Sequence, residues 1–242
     1  MPRVKNEVEL VDAYGSDVIH ALSAWTSTSR DLTPEKEARI EKLLTQLASD
    51  GHETPFEKSC LHFLVSSEIA SHIHMLKHRI GVSINGESAR YKEIKEDRYY
   101  VPADWPVSEQ IALQKHSEEC WEKYHGALAR LTPIIGRKRA KESARYYLGY
   151  STVITYDVMF NFRSFFHFLV LRKSEHAQSE IHDIAAEMLK QVQEKRPEFA
   201  RTLRALLKAA EKRQNADKLI ETLTARVREL EGKLVQVSEN VA

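Results

Sequence analysis

The window from Gly51 to Tyr91 constrains the fold of this chain more than any other stretch. Apolar and polar residues alternate in its first part, which predicts a β-strand from about Lys58 to Ser66. A helix that begins at Ser67 or Glu68 is expected to follow and to carry the chain to Arg79. The window therefore predicts a strand joined directly to a helix.

The predicted helix carries a cluster of imidazoles and cations. Three of them are spaced at i, i+3 and i+4 and would share one face: His74, Lys77 and His78. The segment from Gly81 to Gly86 is rich in Gly, Ser and Asn, which suits a loop whose backbone approaches a ligand. With Arg79 before it and Arg90 after it, such a loop could bind phosphate. The alternative is a cationic helix end that complements the helix dipole.

The rest of the chain is predicted to be mostly helical, with two further strands. The strands are an edge strand from Val4 to Val11 and a strand from Tyr150 to Met159. Capping residues and apolar periodicity predict the helices, which run from Ser16 to about Trp25, from Thr33 to about Ser49, from Ser108 to about Leu131, from Arg137 to Leu148 and onward from near Ala177. Thr132-Pro133 is expected to break the chain between the third and fourth of these helices.

Composition fits a soluble enzyme with one substantial core. The 242 residues contain 36 Lys plus Arg against 35 Asp plus Glu, so no overall charge points to nucleic acid as a partner. The start lacks the apolar run of a signal peptide, and no stretch approaches the roughly 18 apolar residues of a membrane span. We therefore expect a cytoplasmic protein without a membrane or nucleic-acid partner. Cys60 and Cys120 are expected to be inert buried thiols, and the histidine spacing predicts no metal site.

Two blocks of the chain resemble the flavin-dependent thymidylate synthases, the ThyX family. The first combines His52 to Glu57, Lys77-His78-Arg79 and Ser88 to Tyr91, and it is similar to the family's Arg-His-Arg, seven residues, then Ser pattern. Here Lys77 replaces the first arginine, and eight residues separate Arg79 from Ser88. The second block, Asn161 to Ile181, resembles the family nearly position for position.

The resemblance implies an α+β fold, with a central, mostly antiparallel sheet flanked by helices. The periodicity of the last residues adds a C-terminal helical extension to it. It implies that dUMP is converted to dTMP, with methylenetetrahydrofolate as the one-carbon donor and NADPH-reduced FAD as the hydride source. It also implies a homotetramer whose active sites are shared between subunits.

The resemblance also assigns roles to individual residues. Those implied to contact the flavin are His52, Thr54, His78, Arg79, Asn161, Arg163 and His167. Those implied to contact the nucleotide are His74, Lys77, Glu87, Ser88, Arg90, Arg145 and Arg172, with His176 a further wall residue. Arg145 belongs to a Glu-x-Ala-Arg segment, Glu142 to Arg145, for which a surface pair between its two ends is the alternative. Arg172 is implied to be catalytic because it favours ionisation of the pyrimidine N3 and so activates C5.

The apolar run before Arg172 predicts the packing of its helix. Four residues are expected to be buried, namely Phe165, Phe168, Leu169 and Leu171. A guanidinium that ends such a run usually has a fixed anionic partner.

Two departures from the family pattern leave other activities open. His74 stands where the family usually carries glutamine, and Lys77 cannot bind an anion through two parallel hydrogen bonds as arginine does. The alternatives are a hydroxymethyl product, cytosine in place of uracil as the substrate base, or a catalytically silent nucleotide-binding scaffold.

The C-terminal segment indicates a coiled coil. Apolar residues from Leu223 to Val237 keep a 4, 3, 4, 3 spacing, with charged residues between them. We divide the chain into a catalytic domain, 1–213, and a C-terminal coiled-coil helix, 214–242. The alternative is a single amphipathic helix packed back on the body.

Overall fold

The structure of the protein, a computed structural model, describes residues 3–88 and 96–241, with side chains described up to residue 228. Its four strands are β1 (Glu7–Tyr14), β2 (Cys60–Glu68), β3 (Val82–Gly86) and β4 (Val153–Asn161). Its helices are α1 (Asp17–Ala24), α2 (Pro34–Asp50), α3 (Ile69–Met75), α4 (Val107–Ala144), α5 (Phe162–Arg172), α6 (Ser179–Lys195) and α7 (Ala200–Val241). Short 3-10 turns include Thr54–Glu57 and Arg145–Tyr147.

The four strands form one sheet in the order β1-β2-β4-β3, and every pairing is antiparallel. The central ladder joins β2 to β4 over nine pairs, from Cys60 opposite Asn161 to Glu68 opposite Val153. The predicted α+β class with an antiparallel sheet is confirmed. The first strand is an edge strand as expected, although it lies at Glu7–Tyr14 rather than at residues 4–11.

One face of the sheet forms the main core. The alternating residues of the central ladder are fully buried there, namely Leu61, Phe63, Val65, Val158 and Phe160. The β1 edge carries a register shift between Leu10 and Asp12. The side chain of Gln191 on α6 compensates for it, because its amide bonds the Leu10 N–H at 2.8 Å and the Val8 carbonyl at 2.7 Å.

Helix starts follow the predicted capping residues. The hydroxyl of Ser16 accepts a hydrogen bond from Ile19 N at the start of α1, and that of Thr33 accepts one from Lys36 N at the start of α2. Gly51 ends α2 in the left-handed conformation, with φ 72°.

Two predictions around β3 are wrong. The helix after β2 ends at Met75, so Lys77 and His78 lie in the turn beyond it and share no helical face with His74. The segment from Gly81 to Gly86 was expected to be a loop, but Val82–Gly86 is an edge strand paired with β4. The helix ends early because the chain must turn there to place β3 alongside β4.

Two smaller predictions are wrong in detail. Two helices separated by a break are found as predicted, but the break lies at Gly136, where φ is 78° and ψ is 151°, and Thr132-Pro133 lies inside the first of them. Glycine adopts a positive φ without the steric cost that other residues meet. Leu171 is 45% exposed, while the other three residues predicted to be buried with it on α5 are buried.

Helix α4 supports a second, smaller core. Its buried residues include Trp121 and Tyr124, and they pack with Tyr99 and Val101 from the segment before the helix. This cluster is separate from the main core under the sheet.

Helix α7 begins inside the main core and leaves it. Leu203 and Leu206 are buried where α7 packs on α2, whereas every residue from 211 to 228 is exposed. The division at residue 213 stays a prediction, and α7 runs through that point without a break. Among the described residues, no helix is both long and apolar enough to cross a membrane.

A buried histidine ties three elements of the main core together. The ring of His20 on α1 bonds the Thr202 hydroxyl on α7 at 2.9 Å and the Ser59 hydroxyl before β2 at 2.8 Å. Phe56 and Phe162 pack edge-on against the ring. Burial lowers the pKa of His20 to about 4, so the ring is neutral at pH 7.

We expect the His20 imidazole to make folding stability depend on pH. Its pKa is about 4 when folded and about 6.5 when unfolded, so the unfolded state binds the proton more readily and stability falls as pH drops from 6.5 towards 4. Between pH 7 and pH 5 this group alone should remove about 2 kcal/mol of unfolding free energy. Urea unfolding of the parent and of His20→Gln at both pH values measures it. An equal loss of stability in the two proteins would contradict this account.

Candidate active site

The two ends of α5 organise the candidate site, and Asn161 fixes the first of them. Its side-chain oxygen accepts a hydrogen bond from Ser164 N at 2.8 Å, which caps α5. The backbone N–H of Asn161 donates to the Gly81 carbonyl at 2.9 Å. The start of α5 is thereby joined to the turn that follows Lys77-His78-Arg79.

Gly81 is required where it stands. Its φ is +64°, and a Cβ there would lie 2.2 Å from the Asn161 side-chain nitrogen and 2.5 Å from the Ser164 hydroxyl. Any larger residue would therefore strain the backbone and displace the cap of α5.

Arg172 ends α5 against two histidines. Its Nε donates to Nε2 of His78 at 3.0 Å. Its Nη1 lies 3.4 Å from Nδ1 of His74, and its Nη2 donates to the His74 carbonyl at 3.5 Å. The structure thus brings together three of the residues assigned from the sequence, and His167 is close to them, with its ring centroid 6.4 Å from that of His78.

The electrostatics of this group favour a neutral imidazole beside a charged guanidinium. Burial, and after it the charge of Arg172, lower the pKa of His78 to about 4. His78 is therefore neutral at pH 7, and its Nε2 can accept the hydrogen bond from Arg172 while Nδ1 carries the proton. Burial also lowers the pKa of Arg172 from its ordinary value.

The charge of Arg172 is not matched by an acid. Among the described residues, its recorded partners are two imidazoles and a backbone carbonyl, and none is a carboxylate. A half-buried cation without a counter-ion is costly unless a ligand supplies the negative charge. The resemblance implied that the uracil ring is this anionic partner. No described carboxylate takes that role, so an anionic or electron-rich ligand fits the site.

Arg163, the second residue of α5, has the opposite arrangement. Its Nε donates to Glu53 at 3.0 Å and its Nη1 to Glu57 at 2.6 Å. These carboxylates flank Thr54 in the 3-10 turn Thr54–Glu57 and raise the pKa of Arg163. Arg213 on α7 also reaches Glu53, at 3.5 Å.

A cleft of about 580 Å³ runs along the exposed face of α5. Arg163 and His167, one helical turn apart, line it from α5 together with Lys173 at the end of that helix. Arg213 and Gln214 line it from α7. The cleft has the volume of a typical small-molecule site and carries several hydrogen-bond donors.

The other residues assigned from the sequence are mostly exposed. His52, Thr54, Lys77, Arg79 and His176 are exposed, and Ser88 is half-buried. The carboxylate of Glu87 accepts a hydrogen bond from Thr155 N at 3.0 Å, so it secures the β3 edge.

One assigned arginine has no recorded contact with this group. Arg145 is exposed in the turn after α4, and no contact between it and the Arg172 group is recorded among the described residues. The alternative, a surface pair with Glu142, is not recorded either; Glu142 pairs with Arg139 at 3.4 Å. Arg90 lies outside the described residues.

Sequence reasoning missed three residues that shape the site. Glu53 and Glu57 were available as part of the quoted His52 to Glu57 motif, but their role as partners of Arg163 was not inferred. Gly81 was named from the sequence as part of a ligand-binding loop, and its contact with the cap of α5 was not inferred. Nothing in the sequence around Arg213 indicated a role in the site, because only the packing of α7 brings this residue to the cleft. Across 3–88 and 96–241, no group of three or more His, Cys, Asp or Glu residues is placed to hold a metal ion.

Comparison with known proteins gives a consistent result. The family model for the thymidylate synthase complementing protein matches residues 9–198. The flavin-dependent thymidylate synthase of Pseudothermotoga lettingae is 34% identical over 181 residues, which cover 74% of this chain and 80% of that protein. The protein of the same name from Thermosipho africanus is 32% identical over 221 residues, covering 86% of this chain and 93% of that protein.

A solved structure has a fold similar to that of most of this chain. The UMP/dUMP methylase PolB from Streptomyces cacaoi, in a crystal structure with bound 5-Br dUMP, superposes with a TM-score of 0.70 at 26% sequence identity. The match covers 85% of this chain and 96% of PolB.

We expect Gly81→Ala to damage both stability and the candidate site, because the new Cβ meets the Asn161 side chain. A left-handed alanine costs roughly 1–2 kcal/mol before the clash is counted. Thermal unfolding should show a lower midpoint for this variant. Gly149→Ala is the matched control, because a Cβ there meets no atom within 4 Å. Equal midpoints for the two variants would show that the turn adapts without cost.

Proposed function

Because this chain belongs to the flavin-dependent thymidylate synthase family, we propose that it converts dUMP to dTMP with methylenetetrahydrofolate, FAD and NADPH. The methylene carbon of the folate is transferred to C5 of the uracil. Two electrons that originate in NADPH then reduce that carbon to a methyl group, and the C5 proton is lost.

The observation that carries this proposal is the guanidinium of Arg172, held by two histidines and by no described carboxylate. A uracil ring becomes anionic when N3 loses its proton, and it then carries negative charge on N3 and its carbonyl oxygens. Arg172 would hold that ring, lower the cost of its ionisation and so raise the electron density at C5. His78, which accepts a hydrogen bond from Nε of Arg172, would keep the guanidinium oriented.

The residues along α5 fit a flavin. The cleft beside α5 offers the imidazole of His167 and donors on Lys173 and Arg213 to a planar cofactor. Arg163 also lines the cleft, where Glu53 and Glu57 balance its charge. The assigned set would hold it: His52, Thr54, His78, Arg79, Asn161, Arg163 and His167. When bound, the flavin supplies the hydride that completes the methyl group. The protein holds and orients the partners and keeps water away.

The nucleotide phosphate would be held by the exposed cations near the turn after α3. Lys77 and Arg79 are both exposed there, so they can reach a doubly charged phosphate without a desolvation cost. Ser88 and Arg90 follow in the chain, one residue further on than the family motif has them, and Glu87 is assigned beside them.

We also propose that the site is completed in a homotetramer. Arg145 is exposed and has no recorded contact with the Arg172 group in the described chain, which suits a residue that serves the site of a neighbouring subunit. Ile80, beside Arg79, is 85% exposed, and Leu64 and Met159 are exposed on the outer face of the sheet. Apolar side chains on these surfaces would be covered in an assembly.

The position of His74 supports a second candidate activity, with a different base or a different product. His74, which departs from the family's glutamine, is in direct contact with Arg172, so the departure lies beside the group that would bind the base. A hydroxymethyl product, or cytosine in place of uracil, would follow if His74 changes what that arginine accepts.

We expect purified protein supplied anaerobically with FAD, NADPH, methylenetetrahydrofolate and dUMP to form dTMP. Mass spectrometry of the nucleotide identifies a gained methyl group, and parallel reactions with dCMP test the second activity. Arg172→Ala should lose at least about a hundredfold in rate while it retains flavin. Lys190→Ala, a surface change on α6, is the control. Undiminished turnover by Arg172→Ala would remove the arginine from the mechanism.

We expect Arg163→Gln to weaken flavin retention, because the variant loses the cation that faces the cleft. The flavin absorbance that co-purifies with the protein measures this effect. Arg204→Gln is the matched control, since it also breaks an exposed ion pair, the one with Glu41 at 2.6 Å. If both variants retain flavin equally, Arg163 serves only to hold Glu53 and Glu57.

A further inference from the structure

We propose that the part of α7 beyond Asp217 pairs with the same segment of a second copy of this chain as a parallel, two-stranded coiled coil. The proposed enzymatic function does not require this pairing, and the tail residues involved are not those assigned to flavin or nucleotide.

The first argument is that α7 leaves the body as an uncovered helix. The first turns of α7 are held by the buried side chains of Leu203 and Leu206. Arg213 also holds them, because its guanidinium donates to the Ala48 carbonyl at 2.8 Å. Asp217 is the last residue that lines the cleft, and residues 218–228 are exposed on every side. Helices in proteins draw most of their stability from a packed apolar face. A helix that continues to Val241 therefore needs a partner beyond the body.

The second argument is the line of apolar residues at the a and d positions of the tail, which we call the seam. Apolar residues follow a strict heptad, with a positions at Ile220, Val227 and Leu234 and d positions at Leu223, Leu230 and Val237. The three of these whose side chains are described, Ile220, Leu223 and Val227, are 60%, 55% and 53% exposed. One apolar stripe therefore faces outward without a cover from its own chain over the described part of the tail.

The third argument selects the partner and its direction. β-branched residues at a with leucine at d favour two parallel strands. Two of the three a/d pairs, Ile220 with Leu223 and Val227 with Leu230, follow that rule, and the last pair, Leu234 with Val237, reverses it. The sequence also places Arg226 at g and Glu231 at the next e, positions that face each other with opposite charge in a parallel pair. A second copy presents the same stripe, so the interface is self-complementary about a two-fold axis.

The seam is too short to assemble alone. It spans about two and a half heptads, which is marginal for an isolated coiled coil. When two tails emerge from subunits that already associate, their effective concentration rises to the millimolar range and the pairing becomes favourable. The tail would then reinforce an assembly that the body begins.

Cysteine crosslinking of the full-length chain tests both partner and direction. We would place Leu223→Cys or Val237→Cys, at opposite ends of the seam, in a Cys60→Ser, Cys120→Ser background. Ala225→Cys, at the outward f position, is the matched control. After mild oxidation, non-reducing electrophoresis should show disulfide-linked dimers for both seam variants and little for the control. Parallel, in-register strands place each seam residue opposite its own copy, whereas antiparallel strands cannot do so at both ends.

Several results would overturn the proposal. They are no dimer from either seam variant, a dimer from only one end, or equal amounts of dimer from seam and control positions.

Hydrogen exchange gives a second measurement on the assembled protein. Amides from 218 to 237 should exchange at least tenfold faster in Leu223→Glu/Leu230→Glu than in the parent or in Ala225→Glu. Equal exchange in all three proteins would mean that no partner covers the seam. Flavin binding and dTMP formation are separate readouts, so failure here leaves the proposed function untouched.

Discussion

The antiparallel ladder between β2 and β4 is the interaction on which the rest of the structure depends. α3 leaves β2 at one end of this ladder and α5 leaves β4 at the other, and the two helices end beside each other where Arg172 meets His74 and His78. The dimensions agree: nine strand residues span about 30 Å, while the seven residues of α3 and the eleven of α5 together span about 27 Å. A shift in the ladder register would carry the two sides of the candidate site apart.

Helix α5 serves both the core and the candidate site. Phe165, Phe168 and Leu169 bury one side of it, and burying side chains of this size contributes roughly 1.5–3 kcal/mol each. The opposite side presents Arg163 and His167 to the cleft. The core therefore supports an arginine at the helix end whose charge no described carboxylate balances. An unbalanced charge lowers the stability of the folded protein. Such a cost is typical of a functional site, because the packed core supplies enough stability to offset it.

The predictions succeeded where the signal was local and failed where the partner was distant. The caps at Ser16 and Thr33 and the alternation in β2 are properties of a few neighbouring residues, and all three are confirmed. The edge strand β3 was missed because Val82-Ser83-Ile84-Asn85-Gly86 has the composition of a loop, and it becomes a strand only because β4 offers an edge to pair with. The early end of α3 has the same cause.

The sequence by itself determined the family resemblance, the α+β class, the helix caps and the candidate residues, since each depends on residue type and short spacing. It also determined the heptad at the C-terminal end. Only the tertiary structure decided which candidates meet. It placed Arg172 against two histidines, paired Arg163 with Glu53 and Glu57, and brought Arg213 from α7 to the cleft. These are contacts between residues up to about 160 positions apart, and they follow from strand register and helix length rather than from any pattern that a local reading of the chain can detect.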